Sequence, residues 1–134
     1  MAKYQNTKKI KTTKEISEVL EIVESAFRNV SEETKRDGNT IKANSIDATF
    51  GSINRSDTTA ISVVKKDDGY LLIADTNYKP SVMFWVFLAL DVVGSAAGGA
   101  GILGFIIQFY FYFSHKKRVV NEIERTLNNI VNLI

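Results

Sequence analysis

Apolar positions along this chain follow three successive regimes, and each predicts a different kind of element. From Thr12, Ile16, Val19, Val23, Ala26 and Val30 recur at alternating spacings of three and four, with Leu20 and Phe27 widening the stripe. That spacing predicts an amphipathic helix with one buried face. Thr12 and Glu15 have the spacing of a capping box at its start. Glu24 and Arg28 supply a favourable i,i+4 pair. The helix is expected to fade near Val30 or to run on through 31–37 to Gly38, a good C-cap residue.

Between Asn39 and Asn77 the period drops to two. Ile46, Ala48 and Phe50 alternate with polar residues, as do Ile61 with Val63 and Leu71 with Ile73. Alternation of this kind predicts half-buried antiparallel strands. Val64 to Tyr70 reads as a hairpin around Asp68-Gly69, and Gly51 to Asp57 as a further turn. The preceding helix is the available cover for the sheet, which predicts a small α+β layer over 12–79. Ahead of it, residues 1–11 carry Lys3, Lys8, Lys9 and Lys11 without an acid and read as a basic arm.

The third regime has no alternation. Ser81 to Phe113 is apolar throughout and contains one charge, Asp91. An uninterrupted run beyond about 18 apolar residues predicts a membrane span. As a single helix it would be about 50 Å long, against a hydrocarbon core of about 30 Å. A turn is therefore expected at Gly98-Gly99, where five of the eight glycines cluster between Gly94 and Gly104. The expected element is a glycine-hinged transmembrane hairpin over 80–113, with Pro80 marking entry. A single span over 92–113 is the alternative. Trp85, Tyr110, Tyr112, Lys116, Lys117 and Arg118 sit at the outer ends and read as interfacial residues. Lys65, Lys66 and Lys79 before the segment and Lys116, Lys117 and Arg118 after it predict both termini on the cytoplasmic side of a bacterial inner membrane. Residues 114–134 return to three-four spacing through Val120, Ile123, Leu127, Ile130 and Ile134, predicting a C-terminal amphipathic helix.

Charge and chemistry change this picture little. The chain has 17 Lys/Arg against 15 Asp/Glu, a net +2 that is too small and too interspersed to suggest nucleic acid. Absence of cysteine excludes disulfides and thiolate chemistry. His115 is the only histidine, and no phosphate loop, nucleophile elbow or metal-ligand spacing is present, so no enzymatic role, cofactor or metal is expected.

The candidates are Asp91, Gln108 and Ser95. If the chain turns near Gly99, Gln108 lies opposite Asp91, and Asp91 either bonds Gln108 or Ser95 to fix helix pairing or lines a pore with both. Gly94, Gly98, Gly99, Gly101 and Gly104 are candidates for close helix packing or for the turn. The glycine-rich centre resembles the glycine-zipper spans of small pore-forming proteins. The expected function is a self-associating, membrane-anchored adaptor or regulator that touches the lipid bilayer and a cytosolic protein partner. The alternatives are a pore-forming oligomer and a soluble oligomer that buries 81–113 between subunits.

Overall fold

The structure is a computed structural model and describes residues 2–49 and 52–134. Phe50 and Gly51, which belong to the expected second strand and turn, lie outside the described residues. The elements in chain order are β1 (Ala2–Lys11), α1 (Ile16–Arg28), β2 (Ser31–Asp37), β3 (Thr40–Ile46), β4 (Arg55–Lys66), β5 (Gly69–Pro80), α2 (Val82–Ala96) and α3 (Ala100–Leu133), with a short 3₁₀ turn at Ser52–Asn54. The strands form one antiparallel sheet in the order β1-β5-β4-β3-β2.

Alternation along the central strands assigns the faces. Ile61 and Val63 on β4, Leu72 and Ala74 on β5, and Ile41 and Ala43 on β3 are buried under the helices. Leu71 and Ile73, expected on the buried face, lie on the opposite face at intermediate exposure. The apolar run Leu71-Leu72-Ile73 fits either phase; Tyr70 and Tyr78, both buried, settle it. On β3, Ser45 at φ +57° shifts the alternation by one residue, so that Ile46 joins the core.

Helix α1 crosses the sheet from edge strand β1 to edge strand β2 and buries Val19, Leu20, Val23 and Phe27. Its Glu24–Arg28 pair forms at 3.1 Å. The capping box does not form. Glu15 is the N-cap and makes no side-chain cap bond, while Thr12 Oγ1 accepts from the Lys14 N–H at 3.1 Å. The helix stops at Arg28 because residues 31–37 pair with β3, and Gly38 at φ +60° sits in the hairpin turn between those strands.

The segment read as a basic arm is β1, which pairs with β5 through all ten of its residues. Lys66 pairs with Gly69, leaving Asp67 at φ +43° and Asp68 in the β4–β5 turn. Gly69 is required in the strand itself, since a Cβ there would lie 1.8 Å from the Ile10 carbonyl oxygen.

The membrane expectations need correction. No helix among the described residues is long and apolar enough to cross a membrane, which overturns the transmembrane hairpin, the single span over 92–113 and the integral-membrane location. The chain does reverse at 97–99, but the arms are not spans. Helix α2 has 15 residues, about 22 Å at the helical rise and short of a hydrocarbon core of about 30 Å. Helix α3 is a single rod of 34 residues, in which the apolar arm continues without a break into the amphipathic C-terminal segment. Its apolar part is interrupted by Gln108 and meets His115, Lys116, Lys117 and Arg118 within the same helix. Among the described residues the architecture is a mixed α/β fold of five antiparallel strands and three helices. The last four turns of α3 pack on the sheet beside α1 through Val119, Ile123, Leu127 and Ile130. Val119 takes the fully buried position that the sequence pattern suggested for Val120.

Candidate functional site

The hairpin is tied to the sheet domain at its foot. The Ser81 N–H donates to the Asn54 carbonyl oxygen at 3.1 Å, and the Ser81 hydroxyl donates to the Ile53 carbonyl oxygen. The same hydroxyl oxygen accepts from the Phe84 N–H at 3.2 Å, capping α2. Phe84 is buried among Trp85, Phe109 and Tyr112, with ring centroids 5.3–5.5 Å away. Tyr78 on β5 packs its ring 5.1 Å from that of Tyr112 and donates its hydroxyl to the Tyr112 carbonyl oxygen at 2.6 Å. Burial raises the pKa of both tyrosines, which keeps both phenols neutral and Tyr78 a donor.

Beneath this foot, Arg55 and Asp57 form a buried ion pair at 2.6 Å. Arg55 also donates to the carbonyl oxygens of Ile46 and Asp47, and Asp57 accepts from the Ile46 N–H at 2.9 Å. Burial raises the Asp57 pKa, and the Arg55 charge and the Ile46 hydrogen bond only partly offset it. The pair cross-links β4 to the end of β3, and its partners are all structural.

Along the hairpin, the glycines sit where the helices touch. A Cβ on Gly101 would lie 1.9 Å from the Asp91 carbonyl oxygen, and one on Gly94 would lie 3.3 Å from Gly101. A Cβ on Gly104 would lie 2.1 Å from Asp91 Oδ1. Gly98 and Gly99, at φ +151° and +81°, make the reversal. The small-residue face is thus filled by contact between α2 and α3 of one chain.

The polar trio expected from the sequence lies on the inner side of this hairpin, but without mutual hydrogen bonds. Gln108 is 5 % exposed and its Nε2 donates to the Phe84 carbonyl oxygen at 2.7 Å, which leaves Oε1 facing away with no partner. Asp91 Oδ2 and Ser95 Oγ are likewise buried without a hydrogen-bond partner. Ser95 lies against Gly101, one helical turn from Asp91 toward the tip.

A cleft of about 390 Å³ opens where the hairpin meets the 3₁₀ turn. Ile53, Phe87, Ile107 and Phe111 form its apolar walls, and Asp91, Gln108 and Asn54 its polar ones, with Gly104 between them. Asn54 is 7 % exposed, and its Oδ1 also lacks a partner. Nothing in the sequence singles out Asn54, which lies in a stretch that reads as a turn.

The interfacial residues are dispersed by the fold. Trp85 and Tyr110 are exposed on the hairpin, whereas Tyr112 is buried at its foot. Lys116 lies over the Tyr4 ring, 5.6 Å from its centroid. Arg118 pairs with Asp47 at 3.1 Å and donates to Thr49 Oγ1, and Lys117 is exposed. His115 is buried on the sheet-facing side of α3, its ring edge-on to Phe111 at 5.9 Å. Among the described residues no group of three or more His, Asp or Glu is placed to hold a metal ion.

No protein-family model, curated protein or solved structure matches the chain.

Proposed function

We propose that this chain is a self-associating, non-enzymatic adaptor in which the α2/α3 hairpin packs against hairpins of other copies. One observation carries the reading. Val82, Leu90, Val93, Ile102, Leu103, Ile106 and Tyr110 are each at least 58 % exposed, and they project from both arms of a hairpin whose only charge, Asp91, turns inward against Gly104. Contiguous apolar surface on this scale is rare on a monomer, because covering it gains about 25 cal/mol for each Å² removed from water.

A second copy is the occupant that fits best. The outer surface bears no charge to be left uncompensated, and an identical surface supplies the same apolar complement. Side chains exposed on both arms need cover from more than one direction, which a bundle of hairpins gives and a single flat partner does not. The outward face of the sheet, with Lys3, Gln5, Lys9, Lys42 and Lys79 exposed, stays available for a protein partner.

Light scattering on the full chain across a concentration series tests the proposal. A discrete oligomer is expected, and the double change Ile102→Asp with Ile106→Asp shifts it to monomer while the far-ultraviolet circular dichroism is retained. A wild-type chain that stays monomeric, or an oligomer indifferent to the double change, refutes it. So does a monomer that floats with phosphatidylcholine vesicles, which would assign the surface to lipid.

A further inference from the structure

We infer that the cleft at the foot of the hairpin binds an apolar molecule carrying a primary ammonium group, an aliphatic amine in its simplest form. The inference is independent of whether the hairpin assembles, since every residue it uses belongs to one chain.

Three residues that line this cleft each carry a buried oxygen without a partner: Asp91 Oδ2, Gln108 Oε1 and Asn54 Oδ1. Gln108 and Asn54 are both more than nine-tenths buried. Buried acceptors without a donor are uncommon in folded proteins, because removing them from water is costly unless a hydrogen bond replaces it. The orientation of Gln108 follows from its surroundings. Its amide nitrogen is held by the Phe84 carbonyl oxygen, so Oε1 is the atom left over.

The acceptors select the ligand's head and the walls select its body. An ammonium group brings three donors and a positive charge and has no acceptor. Each of these oxygens is matched by such a donor, whereas an anion would be repelled and a neutral alcohol would leave the carboxylate uncompensated. Ile53, Phe87, Ile107 and Phe111 offer an apolar lining for an alkyl or aryl tail. A volume of about 390 Å³ lies within the ordinary range of small-molecule sites. Gly104 keeps the cleft open over the carboxylate, since even a methyl group there would collide with Asp91 Oδ1.

The test is calorimetric titration of the full chain with octylammonium, 1-octanol and octyl sulfate, each below its micellar concentration. Equal tails cancel any adsorption to the exposed hairpin, so the readout is discrimination between heads. Octylammonium is expected to saturate one site per chain and to bind more than about tenfold more tightly than 1-octanol. Asp91→Asn should abolish that preference without changing the 1-octanol signal. Ile107→Trp, at a half-exposed position on the cleft wall, should remove the saturable octylammonium site by filling it. Equal binding of the amine and the alcohol overturns the inference, as does a preference that survives Asp91→Asn. Should Asp91→Asn fail to fold, Ile107→Trp decides: saturable amine binding that persists in it overturns the inference.

Discussion

Gly101→Ala is a one-methyl change with a large expected effect, because the methyl has nowhere to go. In the native hairpin a Cβ at this position would lie 1.9 Å from the Asp91 carbonyl oxygen, 2.5 Å from the Ser95 nitrogen and 2.7 Å from Ser95 Oγ. Carbon-to-oxygen contacts settle near 3.3 Å, so α2 and α3 must separate locally by about 1.4 Å. Two of the three obstructing atoms are backbone and cannot swing aside. Overpacking of this kind costs about 1–3 kcal/mol. For a chain of this size that corresponds to a fall in melting temperature of about 4–12 °C. Thermal unfolding followed by circular dichroism gives the global value. Hydrogen exchange at the α2 amides reports the hairpin locally, should it open before the sheet does. Ile102→Ala is the control. Its side chain is 58 % exposed on the neighbouring position, so its effect on monomer stability should stay within about 0.5 kcal/mol. A Gly101→Ala protein with unchanged melting and unchanged α2 exchange would show that the helices do not approach through this residue.

Two further changes probe the sheet domain. Gly69→Ala places a methyl 1.8 Å from the Ile10 carbonyl oxygen and must push β1 off β5; urea unfolding should show a loss of about 1–3 kcal/mol, with faster exchange at the β1 amides. Gly38→Ala meets no neighbour and pays only for a left-handed backbone at φ +60°, about 1–2 kcal/mol, without altered β1 exchange. Asp57 sets an acid-range dependence. Its folded pKa stands above 3.8 because of burial. The folded chain therefore binds more protons than the unfolded chain between 3.8 and that raised value, and this group alone makes stability grow as pH falls through that window. The gain is complete below 3.8 and absent above the raised value. Asp57→Asn should remove this component, seen as a changed slope of urea midpoints between about pH 3 and pH 7; parallel slopes in the two proteins contradict it.

The periods of α1, of the central strands and of the C-terminal part of α3 were legible in the sequence, though not always their phase. Residues 16–28 stand out as a helix because their stripe is unambiguous and no strand competes for them. Residues 31–37 do not read as a strand because Ser-Glu-Glu-Thr-Lys-Arg-Asp has almost no apolar alternation; β2 is an edge strand with little to bury, held by its ladder to β3. The same holds for β1, whose lysines disguise ten paired residues. The reversal at Gly98-Gly99 follows from backbone freedom alone, whereas the length of α2 depends on where the turn begins, which composition does not specify. Of the site, Asp91 and Gln108 are visible as polar residues in an apolar run. Asn54 enters only because Ser81 ties the hairpin to the 3₁₀ turn, a long-range contact with no local signal.

Continuity of α3 gives these separate features one mechanical consequence. The run 81–113 looks like a module that could be detached from the sheet, yet its second arm is the first part of a helix whose last part lies in the core through Val119, Ile123, Leu127 and Ile130. A rod of about 50 Å has no flexible joint unless proline, a glycine pair or an inserted water breaks it. Past Gly104, α3 contains neither glycine nor proline. The foot is further braced by Tyr78 to Tyr112, by Ser81 to Ile53 and by Arg118 to Asp47. Whatever covers the hairpin therefore fixes the direction in which the sheet faces, rather than holding it on a tether. In an assembly of hairpins, the outer faces of the sheets would take a set spacing and orientation around the common axis, which is the property an adaptor needs to present several identical surfaces at once. A glycine pair inserted between Ser114 and His115, combined with Tyr78→Phe and Ser81→Ala to remove the two braces on the hairpin side, would leave hairpin association intact while releasing that orientation. Double electron–electron resonance between spin labels on the sheets should then change from a narrow distance distribution to a broad one. A distribution equally broad in the parent protein would show that α3 does not act as the rigid link.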